Sequence, residues 1–262
     1  MSKRDDIIKS GANEQERALL TKITDLIAQV LKQYEPRFTD FLDPAELRAA
    51  ERALTQFDGI GYCAGCDESA FERNMISVFP DYMQAEEIEP PIKALKLTGN
   101  NRFESISHRD ILGALMSLGI RREKTGDIVL SGNDYYIILC GDIADYVADN
   151  LVRVRHTLVK AEIIDISDVP ERQQFYKRVC ANVASLRLDC VCGAGFGESR
   201  SASSKYIKSG SVKVNWVEVT DTSFSVGEGD TISKRGSGRI VIDHIGCSTK
   251  KGRINIEIKK IL

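Results

Sequence analysis

Ser199-Arg200-Ser201-Ala202-Ser203-Ser204-Lys205-Tyr206-Ile207-Lys208-Ser209-Gly210, continued by Ser211-Val212-Lys213-Val214-Asn215, is the stretch from which the C-terminal third of this 262-residue chain can be read. Ser199 is a hydroxyl N-cap, and the helix that it opens runs to Ser209, where Gly210 supplies a left-handed closing residue. The alternation of Val212, Lys213 and Val214 predicts a strand over 211–219. Val226-Gly227-Glu228-Gly229-Asp230 then turns tightly into Thr231-Ile232-Ser233. Upstream, Leu186-Arg187-Leu188-Asp189 begins a short helix, and Gly193 to Glu198 is expected to be a flexible connection between the two helices.

The residue types in this module suit a polyanion. A helix beginning at Ser199-Arg200 offers backbone N–H groups to a phosphate, and Arg200 sets a forked cation beside them. Lys205 and Lys208 lie three apart and share a helix face, while Lys213 alternates outward from its valine neighbours. With Arg187 they make one basic stripe. Asn215 is followed by Trp216 in place of the glycine of an easy Asn-Gly turn, so Trp216 is either a core residue or an aromatic available for stacking. Arg235-Gly236-Ser237-Gly238-Arg239 sets two arginines around a loop, as phosphate contacts or as the solubilising charges of a hairpin; beside the basic stripe, contact is the favoured reading. The candidate RNA-binding residues are thus Arg187, Ser199, Arg200, Ser201, Lys205, Lys208, Lys213, Asn215, Arg235 and Arg239.

Charge is distributed in the same sense. The whole chain carries a net charge of -2, yet residues 1–181 hold 23 Lys+Arg against 30 Asp+Glu, and residues 182–262 hold 13 against 8. One end is expected to face a polyanion while the rest is an ordinary soluble body. No apolar run approaches the roughly 20 residues of a membrane span, and Met1 to Ser10 lacks the apolar centre of a signal peptide, so a cytoplasmic location without membrane partner is expected. The 7 cysteines are an odd number in a chain this long, which argues for reduced thiols.

Outward from the C-terminal module, the chain predicts an α+β protein in three parts. In a helical or mixed N-terminal region, 1–85, Leu19, Leu20, Ile23, Leu26, Ile27, Val30 and Leu31 recur at three- and four-residue steps and give a helix over 14–34, with Asn13 and Glu16 as a capping box. Asp43-Pro44-Ala45-Glu46 opens a second helix that Gly59 follows, and 73–79 is a candidate strand. A middle region, 86–168, reads as strand 92–98, helix 108–118 between Ser107 and Gly119, strand 127–130, a turn at 131–134, strand 135–140, helix 143–151 and strand 153–165. That βαββαβ order is the ferredoxin-like plait shared with RNA-recognition motifs, although its third strand, Tyr135 to Cys140, lacks their Lys/Arg-Gly-aromatic run. A linker over 165–174 leads to the C-terminal domain, 182–262.

Five anchors in register over about fifty residues, at Arg187, Ser199-Arg200-Ser201, Ile207-Lys208-Ser209-Gly210, Val212-Lys213-Val214-Asn215 and Gly229-Asp230-Thr231-Ile232, resemble the S-four RNA-binding domain. Trp216 after Val214-Asn215, the Arg-Gly-x-Gly-Arg loop, Ser107-His108-Arg109-Asp110-Ile111-Leu112-Gly113-Ala114-Leu115 and the run from Leu118 to Ile128 extend that to the bacterial YlmH family, from about Phe41 to the C-terminus. The resemblance implies a large-ribosomal-subunit association with ribosomal RNA and tRNA, rescue of stalled nascent chains and a link to cell division. One departure is Tyr62-Cys63-Ala64-Gly65-Cys66 ahead of Phe71-Glu72-Arg73-Asn74, where the family tends to carry glycine and then Ala-Glu-Arg-Lys.

Several sharper motifs fail on their surroundings. His108-Arg109-Asp110 copies the start of a kinase catalytic loop, but the metal-binding Asn five residues on is Leu115. Gly193-Ala194-Gly195-Phe196-Gly197 lacks the strand that precedes a nucleotide loop. Cys63-x-x-Cys66 is half a zinc site whose other half is missing, since Cys190 and Cys192 face different sides of a helix; no metal and no cofactor are expected. His108, Arg109, Arg121, Arg122 and Lys124 are candidates for a weaker second RNA contact. Two functions remain: a non-catalytic binder of structured RNA, with no DNA partner expected, and an RNA-modifying enzyme, a pseudouridine synthase or methyltransferase, that docks through the C-terminal module. The absence of a nucleophile–base pair and of a cofactor loop in the first 180 residues favours the binder.

Overall fold

The computed structural model describes residues 3–66, 71–99, 106–171, 176–248 and 252–261, and it divides into two compact units, Met1–Gln173 and Gln174–Leu262. Part of the expected linker, 172–174, lies outside the described residues.

The first unit opens with three helices, α1 (Lys3–Ser10), α2 (Glu14–Gln33) and α3 (Pro44–Leu54), on a small sheet of β1 (Arg37–Phe38), β2 (Ile60–Ala64) and β3 (Ile76–Pro80) in the order β1-β3-β2. Asn13 accepts from Glu16 N at 2.8 Å, and Glu16 reaches back to Ala12 N at 3.0 Å, one residue beyond the expected capping-box partner. Asp43 and Glu46 form a complete box with Pro44 at the first helical turn. The apolar stripe of α2, with Ile23, Ile27 and Val30, packs on Ala50, Leu54, Ile76 and Val78. The polar α1 was not foreseen; Ile7 alone of its residues is buried.

The plait follows as β4 (Ile92–Gly99), α4 (His108–Ser117), β5 (Thr125–Ser131), β6 (Asp134–Cys140), α5 (Gly141–Asn150), β7 (Arg153–Val154) and β8 (Thr157–Ile164), with sheet order β5-β6-β4-β8 and every pairing antiparallel. That is the ferredoxin-like arrangement. The last strand, expected unbroken over 153–165, is instead a hairpin, β7 pairing with β8 around Arg155 at φ 55.

Alternation along β6 sends its residues to two different cores. Tyr135, Ile137 and Leu139 join Ile111, Leu115 and Val147 of the helices, whereas Ile138 and Cys140 join Phe41, Met75 and Ile92. The sheet face on which an RNA-recognition motif stacks bases is therefore partly covered by the N-terminal region. Tyr135 is buried and donates to Ile106 O at 2.7 Å. The departing segment Glu72-Arg73-Asn74 fastens that cover: Arg73 donates to Phe41 O (2.6 Å) and Thr125 O (3.2 Å), and buried Asp127 accepts from Glu72 N (2.6 Å) and Arg73 N (3.3 Å). Asn74, fully buried, holds Cys66 through both its N–H and C=O.

In the second unit β9 (Tyr176–Val183) precedes α6 (Leu188–Phe196), α7 (Arg200–Lys208), β10 (Val212–Val214), β11 (Val217–Glu218), β12 (Thr231–Lys234), β13 (Gly238–Ser248) and β14 (Ile254–Ile261). The sheet runs β11-β10-β12-β13-β14-β9, and both helices pack on it through Leu188, Val191, Phe196 and Ile207 against Val212, Ile232, Ile240 and Ile258. The edge strand β9 starts this unit before Asn182 and brings exposed Lys177 and Arg178 to its basic side of the balance.

Two expectations are overturned here. Gly193 to Phe196 is not a flexible connection but the last turns of α6, closed by Gly197 at φ 73. The glycines are there for packing: a Cβ on Gly195 would drive into Ile240 Cδ1, and one on Gly193 would lie 3.1 Å from Glu198 O. Gly195→Val is accordingly expected to destabilise the unit by about 1–3 kcal/mol through overpacking; an unchanged urea midpoint would contradict this contact. The strand expected over 211–219 is likewise a hairpin, turned at Asn215 (φ 48) and Trp216 (φ 69).

Candidate nucleic-acid interface

The two arginines at the heads of the C-terminal helices converge on one carboxylate. Asp189, in the first turn of α6 and 3% exposed, accepts from Arg187 Nε (3.3 Å) and Nη2 (3.2 Å) and from Arg200 Nε (3.0 Å). Burial pushes the Asp189 pKa up, but the bonds from Arg187 and Arg200 outweigh it and hold the group below its ordinary value. The side chains of Arg187 and Arg200 remain 38% and 57% exposed. Each guanidinium is thus fixed by an inner edge and presents the rest to solvent, which suits forked recognition of a phosphate.

Ser199 caps α7, accepting from Ala202 N at 3.2 Å, with its hydroxyl 3.0 Å from that of Ser201. The cap organises the helix start; the N–H groups of Arg200 and Ser201 have no acceptor within the helix. Lys205 and Lys208 are exposed on α7, and Lys213 is exposed between buried Val212 and Val214. Asn215, read as an RNA contact, is turned inward: Nδ2 donates to Asp230 Oδ1 at 2.8 Å and Oδ1 accepts from Thr231 N at 2.9 Å. It pins the hairpin to the start of β12. Arg235 is exposed at its turn, whereas Arg239 lies over the Trp216 ring, 5.2 Å from its centroid. Trp216 is half-buried and does not belong to the core.

Sequence reasoning missed Asp189 and Lys234. The Lys234 side chain is 2% exposed, pairs with Glu198 and lies 5.0 Å from the Phe196 centroid and 4.4 Å from that of Tyr206. Glu198 immediately precedes the cap of α7, so this ion pair neutralises a carboxylate beside the start of that helix. The available signal for the first was an acid two residues after Arg187 at a helix start; for the second it was the alternation of β12, which sets Lys234 on the same face as buried Ile232.

On the first unit the basic group splits. Arg122 is not a surface contact: it donates to Thr125 O and to Gly126 O at 3.3 Å, and burial, with Arg73 nearby, pulls its pKa down to about 10. Lys124 is likewise withdrawn, between Asp142 (2.7 Å) and Asp40 (2.9 Å); burial opposes its charge, but those bonds prevail and raise its pKa. Arg121 stays exposed, 3.3 Å from Glu123. Exposed His108 and Arg109 stand elsewhere, Arg109 in a shallow groove with Asp110, Gly113, Ala114, Ser117, Arg153 and Arg155. Arg153 and Arg155 come from the hairpin that replaced the expected strand. Among the described residues no three His, Cys, Asp or Glu side chains gather as metal ligands, and burial pushes the Cys66 thiol up to about 12. No helix among them is long and apolar enough to cross a membrane.

Residues 15–83 match the family model described as "YlmH, N-terminal", residues 86–168 that described as "Putative RNA-binding domain in YlmH", and residues 186–232 the "S4 domain". The chain belongs to the YlmH family. It is similar to "Ribosome-associated protein quality control protein P2" of Bacillus subtilis (strain 168), 37% identical over 246 residues that cover 94% of this chain and 95% of the relative. Among solved structures it is similar to "Cell division protein ylmH from Streptococcus pneumoniae", with a TM-score of 0.51 and 25% identity over 60% of this chain and 94% of that one. The YlmH resemblance read from the sequence is thereby confirmed, and the Asp189 clamp falls within the matched S4 domain.

Proposed function

We propose that this YlmH-family chain is a non-catalytic RNA-binding protein of the ribosome, holding ribosomal RNA and tRNA on the large subunit during quality control of stalled translation. Cell division, named for the pneumococcal relative, would be reached through that translational role. The observation that carries the reading is the pair Arg187 and Arg200, held on buried Asp189 with their outer edges in solvent at the start of α7. The ribosome-associated name of the Bacillus relative supports the setting.

Titration of the full chain with tRNA and with helical ribosomal RNA fragments across a salt series tests it. Affinity is expected to fall with salt with a log–log slope of a few units, and Lys205→Gln to flatten that slope by about one. Arg200→Ala is expected to lose on the order of 1–3 kcal/mol of binding, and Arg200→Lys a measurable part of that although net charge is unchanged. Binding indifferent to salt, or equal affinity for Arg and Lys at position 200, would remove the clamp from the interface.

A further inference from the structure

Trp216 occupies a backbone position that a bulky residue rarely takes. Val214 pairs with Val217, and the two residues between them, Asn215 and Trp216, have φ 48 and φ 69. This is the two-residue hairpin turn in which the second position favours glycine. A bulky side chain there is strained, and such strain persists where the surroundings hold it and the side chain has a use. Core packing is not that use, because the indole is half-buried outside the C-terminal core. The turn is held from behind by the Asn215 amide on Asp230 and Thr231, which leaves the indole as the feature that the hairpin tip projects.

A cation lies against the indole. The Arg239 guanidinium lies 5.2 Å from the ring centroid, within the range of cation–π attraction. Register places the neighbours: Lys213 is opposite Ser233, and Ser233 is opposite Arg239. Directly paired residues share a sheet face, so exposed Lys213 and half-buried Ser233 and Arg239 form a row across the outer face of β10, β12 and β13. Glu218, opposite Lys213, ends the row on β11, and Arg235 stands exposed at the turn between β12 and β13.

We propose that Trp216 and Arg239 form a stacking platform for an unpaired nucleobase, with Lys213 on the flanking phosphate, so that the RNA partner carries a looped-out or single-stranded nucleotide at this point. The proposal rests on the RNA-binding reading above. An aromatic ring backed by a guanidinium accepts the face of any base, which makes the contact tolerant of sequence and selective for unpaired structure. The basic residues on α7, by contrast, select only for phosphate.

The chain has one tryptophan, so its intrinsic emission reports on this platform alone. The full chain is titrated with two fluorescently end-labelled RNAs of equal length, a perfect duplex and the same duplex with a single-nucleotide bulge. Binding is read from label anisotropy and Trp216 emission is read in parallel. The bulged RNA is expected to change Trp216 emission on binding, and the duplex to leave it unchanged. Trp216→Gly, which relaxes the turn, is expected to lose roughly ten- to a hundredfold in affinity for the bulged RNA and almost none for the duplex, and Trp216→Phe to keep most of the preference. If the chain binds both RNAs equally with no emission change, the platform is overturned while the RNA-binding reading stands. A Trp216→Gly variant that loses both affinities alike overturns it too, since the indole would then only shape the hairpin. If neither RNA binds, the underlying reading fails first.

Discussion

Asp189→Asn is expected to weaken RNA binding by about 2–3 kcal/mol, although it makes the C-terminal unit more positive. Charge alone predicts the reverse, since removing a carboxylate from a phosphate-binding surface should tighten binding. The geometry gives the opposite sign because one buried carboxylate receives both Arg187 and Arg200. An amide has one acceptor oxygen and no charge, so two guanidiniums lose their common anchor and must be ordered anew by the RNA. The loss should therefore exceed that of Arg200→Ala, which removes one contact and leaves the other fixed. Tighter binding by the Asn variant would sink the clamp. Stability provides an independent check. The folded pKa of Asp189 lies below the ordinary aspartate value, burial being outweighed by the bonds from Arg187 and Arg200. The stabilisation is thus fully present above that value and is lost as pH falls through the lower folded pKa. Urea midpoints of the wild type and the Asn variant should differ at neutral pH and converge in acid.

The sequence displays what local chemistry determines and conceals what depends on distant neighbours. Asn13, Asp43, Ser107 and Ser199 are all caps in the structure because a short polar side chain before an apolar period has one strong local use. The split βαβ order was legible for the same reason, through its periodicities. Gly193 to Phe196 was misread because glycines weaken a helix in isolation, and the reason for Gly195 is Ile240 on a strand about 45 residues away. The cover on the plait sheet was hidden similarly, since nothing near Phe41 or Met75 says which surface they meet. Within the site, the exposed cations were readable from alternation and helix phase. The inward roles of Asp189, Asn215, Arg122 and Lys124 were not, because a charged or amide side chain looks the same in sequence whether it meets solvent or a buried partner.

Lys234→Met is expected to destabilise the C-terminal unit by about 2–4 kcal/mol and to weaken RNA binding with it. Methionine keeps most of the volume of the lysine stem, so the effect is one of charge and not of a cavity. It leaves Glu198 without its cation, and Glu198 Oε2 already has no hydrogen-bond partner in its buried position. The Glu198 side chain is 27% exposed, so water can relieve part of the penalty, and the expected loss lies below that of a fully buried orphan. The aromatic faces of Phe196 and Tyr206 lose their cation at the same time. Glu198→Gln in the Lys234→Met background removes the stranded charge and should restore a large part of the stability, because a buried ion pair replaced as a pair costs little while half a pair costs much. The RNA measurement then separates two consequences of the same residue. A bare carboxylate just before the cap of α7 repels phosphate, so the single variant should bind worse than the double variant even where both are fully folded. Equal stability of the single and double variants would mean that Lys234 is held by its aromatic neighbours alone and that Glu198 is solvated, which would remove the ion pair from both the fold and the interface.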